Sequence, residues 1–317
     1  MCDICMMKYQ AWQKNPSRFR AMTGINIATF ERLLPCFESA HDEYLSEYDL
    51  SGKYRKGLRR YTMYSNASLA DRAERLVFIL SYYKLNSVQE SHADLFDITR
   101  CQCHELIHGL SKSLRMALRM AGCMPVQTDR ELQEILSAID RKEEKVLLHD
   151  DTEREISRPM CEDLQQDSYS GKKKKHTVKN ALIISSVCLI LYVGPAYAGR
   201  IHDKTLADTC CHIPSGFSLW QDAGYQGYWP EGVRIYQPVK KPGGRELTKE
   251  QKFFNRDIAV GRVRVEYAIG NTRRYRIVKD ECRLRKNLFV NHVFHTCAAL
   301  HNFRITHNPF NYKFKLT

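Results

Sequence analysis

Apolar residues recur at helical spacing through roughly the first 145 residues of the chain. In NIATFERLLPCFESAHDEYL, Phe30, Leu33, Leu34 and Phe37 fall on one helix face, and SLADRAERLVFILSYYKL repeats this spacing. The pattern predicts an all-helical domain over residues 1–144.

Two helix starts lie close together inside this region. The strings SVQE and TRCQ, which begin at Ser87 and Thr99, both match the capping box that marks a helix N-terminus. Their spacing leaves room for a short helix, a tight turn at FDI and a longer helix, which is helix-turn-helix geometry. The first turns of the second helix of that motif contact base edges, so we expect DNA contacts from Arg100, Gln102 and His104. An ordinary helical bundle is the alternative.

After residue 144 the pattern changes to short β-rich segments. KVLLHD, HTVKNALIISSV, LILYVGPAY, FSLWQDAGYQGY and VRIYQPVK predict strands, and HDKTLADTC predicts a helix before the fourth of them. Two helices follow, the first beginning at a Thr248-x-x-Gln251 capping box and the last running from about Val290 to Arg304. This order predicts an α+β or α/β domain over residues 145–317, with a mixed sheet flanked by helices.

The most apolar run, Ala181 to Gly199, comes near transmembrane length. It contains two serines, a break in the middle and a Gly-Pro pair, so it predicts two adjacent buried strands and no membrane span.

The formal net charge of +13 favours a polyanionic partner, with nucleic acid first and an anionic membrane second. The N-terminus lacks the pattern of a signal peptide, and twelve cysteines then indicate a reducing compartment. Cys2 and Cys5 have zinc-like spacing, but a second ligand pair is not evident, so zinc is a weak hypothesis.

Three carboxylates stand at positions that suit chemistry. Asp150 follows the apolar KVLL, and Asp222 follows FSLW and precedes a glycine turn, so both are expected at strand ends, where active-site groups of α/β folds gather. Glu266 lies inside the predicted helix FNRDIAVGRVRVEYAIGNTRRYR. On a helical wheel it falls between a side predicted to pack, with Ala259, Val263, Tyr267 and Gly270, and a basic side with Arg262 and Arg273.

Three carboxylates that meet from two strand ends and a helix would suit Mg²⁺ or Mn²⁺, which prefer hard oxygen ligands. Two such ions about 3.5–4 Å apart activate the attacking oxygen and stabilise the leaving one in phosphodiester chemistry. Each carboxylate alone also has an ordinary interpretation, as a turn former or as a salt-bridged surface residue. Together, in so basic a chain, they favour a metal-dependent nuclease.

Several ordered motifs resemble one protein family. DDTEREISRP, YSGKKKKHTVKN, GRIHDK, WQDAGYQGY, KKPGGRELTKEQK, FNRD and RVRVEYAIG are similar to motifs of the DDE-superfamily transposases of bacterial insertion sequences, specifically the insertion-sequence-five-like group. The resemblance extends from about Asn15 to Arg304. It implies a ribonuclease-H-like catalytic domain with the catalytic and metal-binding triad Asp150, Asp222 and Glu266.

The chain departs from the family pattern at a few positions. Asp151 stands where the family usually has glycine, which leaves the register of the first aspartate open between Asp150 and Asp151. Asp203, in the motif HDK, is a rival for the second carboxylate, but its place before a predicted helix suits an N-cap. His202 is a candidate for ordering the site, and Tyr267 stands where histidine is common.

Basic residues around the predicted sheet and helix are candidate phosphate contacts, which would make DNA binding strongly salt-dependent. Their ordinary interpretation is a solvated face. The candidates are Lys172, Lys173, Lys174, Lys175, Lys179, Lys240, Lys241, Arg262, Arg273 and Arg274. Tyr225 and Tyr228 suit either base stacking or packing of the turn, and packing is favoured.

The resemblance implies a DNA transposase. Its N-terminal domain would bind the terminal inverted repeats of the element, and its catalytic domain would cut and transfer strands with two Mg²⁺ or Mn²⁺ ions. We expect the partner to be double-stranded DNA, at the element ends and at the target site, and not a membrane. On DNA the chain is expected to form a homo-oligomer. Its expected location is the nucleoid in the cytoplasm of a prokaryotic cell. The alternatives are an inactive or domesticated DNA-binding relative and a structural or RNA-associated protein.

Overall fold

The structure, a computed structural model, describes residues 8–49, 52–56, 69–138, 145–241, 243, 246–284 and 289–309. The predicted CxxC pair, Cys2 and Cys5, lies outside these residues. In chain order the helices are α1 Lys8–Gln13, α2 Pro16–Thr23, α3 Ile27–Glu47, α4 Arg72–Leu85, α5 Gln89–Phe96, α6 Arg100–Met120, α7 Asp129–Ala138, α8 Glu162–Ser168, α9 Asp203–Cys210, α10 Lys249–Thr272, α11 Arg276–Lys279 and α12 Phe289–His307.

The strands all belong to one mixed sheet. They are β1 Val146–Glu155, β2 Tyr169–Ser170, β3 Lys175–Ser185, β4 Ile190–Val193, β5 Tyr197–Ala198, β6 Ser218–Trp220 and β7 Arg234–Tyr236. The order is β2-β3-β1-β6-β7, and β4 and β5 also pair with β3. The pairs of β1 with β6 and of β6 with β7 are parallel, whereas β1 and β3 are antiparallel.

This curled mixed sheet with flanking helices confirms the predicted α/β character and is compatible with a ribonuclease-H-like fold. The first strand is longer than predicted, because it continues beyond KVLLHD through Glu155. The apolar run from Ala181 to Gly199 forms parts of β3 and β4, which confirms the two predicted strands, and it also contains the short strand β5, which was not predicted. In the part of the chain that the structure describes, no helix is long and apolar enough to cross a membrane.

Contacts group the chain into two units. One contains Met1–Met124 with Arg273–His307, and the other contains Pro125–Thr272 with the C-terminal residues. The segment 273–307 therefore packs with the N-terminal helices, whereas the prediction placed it after the boundary at residue 144. The functional assignment of the two domains stays a prediction.

The first unit is helical and is built around α4, which is buried along most of its length from Ala73 to Tyr83. The N-terminus of α4 is capped by Asp71, whose carboxylate accepts a hydrogen bond from Ala73 N at 2.8 Å. Asn86 caps the C-terminus of α4 and has a left-handed φ of 50°, a conformation that asparagine tolerates.

Helices α5 and α6 form the predicted pair joined by a tight turn. Asp97 follows α5 with a φ of 54°, and the predicted capping box at Thr99 and Gln102 is present at the start of α6. The predicted cap at Ser87 is wrong: α5 begins at Gln89, and Val88 occupies the N-cap position without a side-chain hydrogen bond. The string SVQE matches the motif by letter, but its serine lies one residue too early.

Helix α10 carries the long basic segment. It starts after Thr248, whose hydroxyl accepts from Gln251 N at 3.2 Å as predicted, and it ends at Thr272, four residues before the predicted end at Arg276. The buried face consists of Ile258, Gly261, Val265, Ala268 and Thr272.

The predicted packed face of α10 was wrong, since Ala259, Val263 and Gly270 are exposed. The reason lies at Gly261, where an added Cβ would lie 2.1 Å from the ring of Trp220. The indole fills the space that a side chain at position 261 would occupy, and this contact selects the face that α10 turns to the sheet.

Candidate active site

The predicted aspartates Asp150 and Asp222 lie side by side just beyond the last parallel pair of β1 and β6. Asp222 follows the end of β6 as predicted, but the predicted strand-end position is wrong for Asp150, because β1 continues to Glu155 in its pairing with β3. Leu148 in β1 is paired with Trp220 in β6, and each aspartate follows two residues later. Because side chains alternate along a strand, both carboxylates emerge on the face that carries Leu148 and Trp220. Asp150 Oδ1 accepts from Asp151 N at 2.8 Å, and Asp222 accepts from Ala223 N at the start of a short 3-10 helix.

The two carboxylates share one cation from α10. Nη2 of Arg262 lies 3.2 Å from Asp150 Oδ2 and 3.5 Å from Asp222 Oδ2. Arg262 directly follows Gly261, so the close approach of α10 to Trp220 brings the guanidinium to the two aspartates. We call Asp150, Asp222 and Arg262 the carboxylate cluster.

Burial dominates the electrostatics of Asp150. It raises the pKa of this carboxyl above its ordinary value, Arg262 opposes the rise, and the nearby negative charge of Asp222 adds to it. The ion pair alone would lower the pKa, so the net direction shows that the loss of solvent outweighs the guanidinium. A second cation at this position would be favourable for both carboxylates.

The opposite face of β1 carries Asp151 and His149. Burial raises the pKa of Asp151 well above its ordinary value; the nearby Tyr225 hydroxyl opposes the rise, Asp203 adds to it and Lys179 opposes it. Within the described residues, both carboxylate oxygens of Asp151 are buried without a hydrogen-bond partner. Burial lowers the pKa of His149 to about 3, so its ring is neutral, and its Nδ1 accepts from Gln221 Nε2 at 2.7 Å. The structure therefore places Asp150, and not Asp151, beside Asp222.

Asp203 lies apart from the carboxylate cluster, and it is not the predicted N-cap. His202 occupies the N-cap position of α9, without a side-chain hydrogen bond, and Asp203 is the first helical residue. Its carboxylate is 2.7 Å from the amine of Lys179. An added Cβ at Gly224 would lie 2.4 Å from Asp203 Oδ2, so this carboxylate is packed against the turn that follows Asp222.

Glu266 is exposed on α10, one turn after Arg262, and is not part of the carboxylate cluster. The predicted position at the edge of a packed face depended on the wrong face of the helix. Over the described residues, no group of three His, Cys, Asp or Glu side chains is arranged to hold a metal ion. The donor chemistry of Asp150 and Asp222 nevertheless fits a divalent cation, since two hard oxygen donors already converge on one cationic group.

The predicted phosphate contacts of the second unit fall into two groups. Two are turned inward. Arg262 belongs to the carboxylate cluster, and Lys179, which is 9% exposed, donates to Ile201 O and to Asp203. Their geometry does not favour a phosphate contact. The others are exposed, in the turn before β3, at the first residue of β3, or after β7: Lys172, Lys173, Lys174, Lys175, Lys240 and Lys241.

Some of the exposed lysines have carboxylate partners. Lys173 lies 3.5 Å from Glu153, Lys175 lies 2.7 Å from Glu155, and Lys241 lies 2.5 Å from Glu246. Surface ion pairs of this kind are weak, so they leave these amines able to exchange to a phosphate.

The predicted DNA contacts of the first unit lie at two places. Arg100 and Gln102 are exposed in the first turn of α6, and His104 is half-buried with its Nδ1 3.3 Å from Gln89 Oε1. Arg273 and Arg274 follow the end of α10 and are half-buried; Arg274 donates to Gly24 O at 3.2 Å.

Tyr225 and Tyr228 are buried at 1% and 5% exposure, and the Tyr228 hydroxyl donates to Cys211 O, so the favoured prediction of packing is confirmed. The contact between Gly261 and Trp220 was not predicted from the sequence. A signal was present, because a glycine in a helix interior costs about 1 kcal/mol relative to alanine and usually has a packing reason.

Two comparisons with known proteins find matches to this chain. Residues 149–302 match the family of DDE superfamily endonucleases. The chain is also similar to a probable transposase for insertion sequence element IS702 from Microchaete diplosiphon, with 33% identity over 149 residues, or 46% of this chain and 53% of the relative. The chain thus spans about half the length of this curated relative. No solved structure matches the chain significantly.

These matches confirm the resemblance to DDE-superfamily transposases of insertion sequences. The narrower assignment to the insertion-sequence-five-like group stays a prediction.

Proposed function

From the premise that the chain carries a DDE superfamily endonuclease domain at residues 149–302, we propose that it is the transposase of a bacterial insertion sequence. The observation that carries this proposal is the position of Asp150 and Asp222 on adjacent strands, beside each other around one cation. Two carboxylates that converge in this way are the donor set that phosphodiester chemistry with divalent ions requires.

In this proposal Asp150 and Asp222 would hold Mg²⁺ or Mn²⁺, two ions in the complete site. Glu266, which is exposed one turn after Arg262, is assigned as the third carboxylate from the resemblance to the family alone. The family generally uses divalent metal ions. Such ions would supply an activated water at neutral pH and charge stabilisation for the leaving oxygen. Trp220 and Gly261 fix the distance of α10 from the two aspartates, and the partly buried carboxyl of Asp150 makes a bound cation favourable.

The remaining steps concern DNA. We assign the α5–α6 pair, with Arg100, Gln102 and His104, to the terminal inverted repeats, and the exposed lysines Lys172, Lys174 and Lys240 to the phosphate backbone. The freed 3′-hydroxyl at the element end would then attack target DNA. Because two ends take part, the active form on DNA is a homo-oligomer, acting at the nucleoid of a prokaryotic cell.

A second candidate function is DNA binding without cleavage, in an inactive or domesticated relative. It is favoured by one specific observation, namely that Glu266 is exposed while Arg262 occupies the space between the two aspartates.

Cleavage and binding assays separate the two candidates. The substrate is a supercoiled plasmid that carries the gene with its flanking DNA, incubated with Mg²⁺ or Mn²⁺. We expect the unchanged chain to cut it and Asp222→Asn to lower the rate at least about 100-fold, because a lost metal ligand removes several kcal/mol of transition-state stabilisation. DNA binding should persist.

The matched control is Asp203→Asn, which removes the rival carboxylate while leaving the carboxylate cluster intact. If Asp222→Asn cuts the plasmid at the unchanged rate and Asp203→Asn no longer cuts it, the second carboxylate is misassigned. A chain that binds the plasmid and never cuts it would support the second candidate.

A further inference from the structure

The first unit contains a basic pocket from which the proposed function uses His104 alone. It is a cavity of about 710 Å³ between α3, α6 and α12, a size that accommodates small organic ligands. Of the three predicted base contacts on α6, His104 alone is among its lining residues. Helix α6 contributes further lining residues along one side: His108, Lys112, Arg115 and Arg119.

The charges of this pocket are unbalanced. Lys112, Arg115 and Arg119 line it together with a single carboxylate, Glu105. Within the described ranges, Nη1 of Arg115 is buried without a hydrogen-bond partner. The neighbouring cation Arg119 and burial both lower the pKa of Arg115, so the site holds positive charge at a cost. An anion between these side chains would remove that cost.

Flat rings stand next to these cations. The Lys112 amine lies 5.7 Å from the centre of the Tyr44 ring, and the His108 and Phe289 rings meet edge to face at 5.0 Å. Tyr44, His108 and Phe289 all line the cavity. Aromatic side chains beside cations are the combination that binds unpaired nucleotides, because the base stacks while the phosphate is neutralised.

We propose that this pocket binds one nucleotide of an unpaired nucleic-acid strand, with its phosphate held by Lys112, Arg115 and Arg119 and its base against Phe289 and His108. The choice of nucleic acid as the source of the phosphate rests on the proposed function. The positive charge and the aromatic rings of the pocket are observed independently of that function. The pocket is separate from base reading by Arg100 and Gln102, which act on paired DNA.

The test measures binding of a fluorescein-labelled thymine oligonucleotide to the full chain by anisotropy, in EDTA, so that cleavage plays no part. Lys112→Gln with Arg119→Gln changes two exposed residues and should leave folding intact, which a thermal melt verifies. We expect affinity to fall about tenfold, and the slope of log K against log salt to decrease by at most about 0.7, the contribution of one phosphate on a single strand.

Arg32→Gln is the matched control, because Arg32 is an exposed arginine on α3 that does not line the pocket. It should change affinity less than about twofold, as expected for a distant surface charge. Equal losses in Arg32→Gln and in the double variant would overturn the proposal.

Two further arms separate the sources of phosphate. An abasic strand with the same number of phosphates should bind several-fold more weakly than the thymine strand, and Phe289→Leu should remove that difference. Inorganic phosphate should compete poorly, and a duplex of equal length should compete less well than the single strand.

Equal binding of the abasic strand would overturn the nucleotide assignment, and equal competition by the duplex would overturn the assignment to an unpaired strand. Both results can be obtained even if plasmid cleavage fails, so failure here is distinguishable from failure of the proposed function.

Discussion

The two faces of strand β1 carry neighbouring aspartates in different surroundings. Asp150 shares the Arg262 guanidinium with Asp222, on the face covered by α10. Asp151 faces the buried side with His149 and Tyr225, and burial raises its pKa well above the ordinary value. A shift of one residue along a strand therefore separates a carboxylate placed for cation binding from one enclosed in the core.

This difference shows that the surroundings, and not the residue type, decide what an aspartate can do. On the face covered by α10, Asp150 has a second carboxylate, Asp222, and the cation of Arg262 beside it. The other face offers a tyrosine hydroxyl and the Lys179–Asp203 pair, whose charges already compensate each other. Changes on the two faces should therefore have opposite consequences.

The largest effect on stability is expected at the contact that seats α10. Gly261→Ala would place a methyl group 2.1 Å from the Trp220 ring, so helix and indole must separate. We expect a loss of about 2 kcal/mol from overpacking, larger than the gain of about 1 kcal/mol from the helix propensity of alanine.

The control for this change is Gly270→Ala on the same helix. Position 270 is open, and alanine there should raise the melting temperature. Melting temperatures from scanning calorimetry that shift in the same direction for both variants would contradict the seating of α10 on Trp220.

A smaller effect, of opposite sign, is expected on the other face of β1. Because burial raises the folded-state pKa of Asp151, its charge destabilises the fold above the unfolded value of 3.8. Stability from this residue is therefore highest below pH 3.8 and falls as pH rises toward its folded pKa. Asp151→Asn should stabilise the protein by about 1 kcal/mol at neutral pH.

The gain from Asp151→Asn should disappear in acid, where both states carry the proton. Melts of the two proteins across the acid range measure this. A gain that does not change with pH would mean that charge burial at Asp151 is not its cause.

The smallest effect concerns cation competition at the carboxylate cluster. Arg262→Met removes the guanidinium between Asp150 and Asp222, and we expect Mn²⁺ affinity to rise about fivefold, as for loss of one solvent-screened positive charge. Isothermal titration measures it without any requirement for activity. Arg256→Met, an exposed arginine on the same helix, is the control and should leave the affinity unchanged. An unchanged affinity in Arg262→Met would indicate that the ion binds elsewhere.

Much of this architecture could be predicted from local patterns. The capping boxes at Thr99 and Thr248 and the strands around Asp150 and Asp222 depend on residues within a few positions of each other, so the sequence shows them directly. The packed face of α10 could not be predicted, because it is selected by the distant Trp220 ring. Nor could the burial of Lys179, whose partner Asp203 lies 24 residues away.

Cleavage by the two neighbouring aspartate variants tests the central claim most directly. Asp150→Asn and Asp151→Asn change adjacent residues by the same atoms and differ only in the face of β1 that they alter. The rate measured is Mg²⁺-dependent cleavage of the plasmid that carries the gene with its flanking DNA. We predict that Asp150→Asn abolishes cleavage while DNA binding persists, and that Asp151→Asn retains it. Cleavage retained in Asp150→Asn and lost in Asp151→Asn would contradict the account.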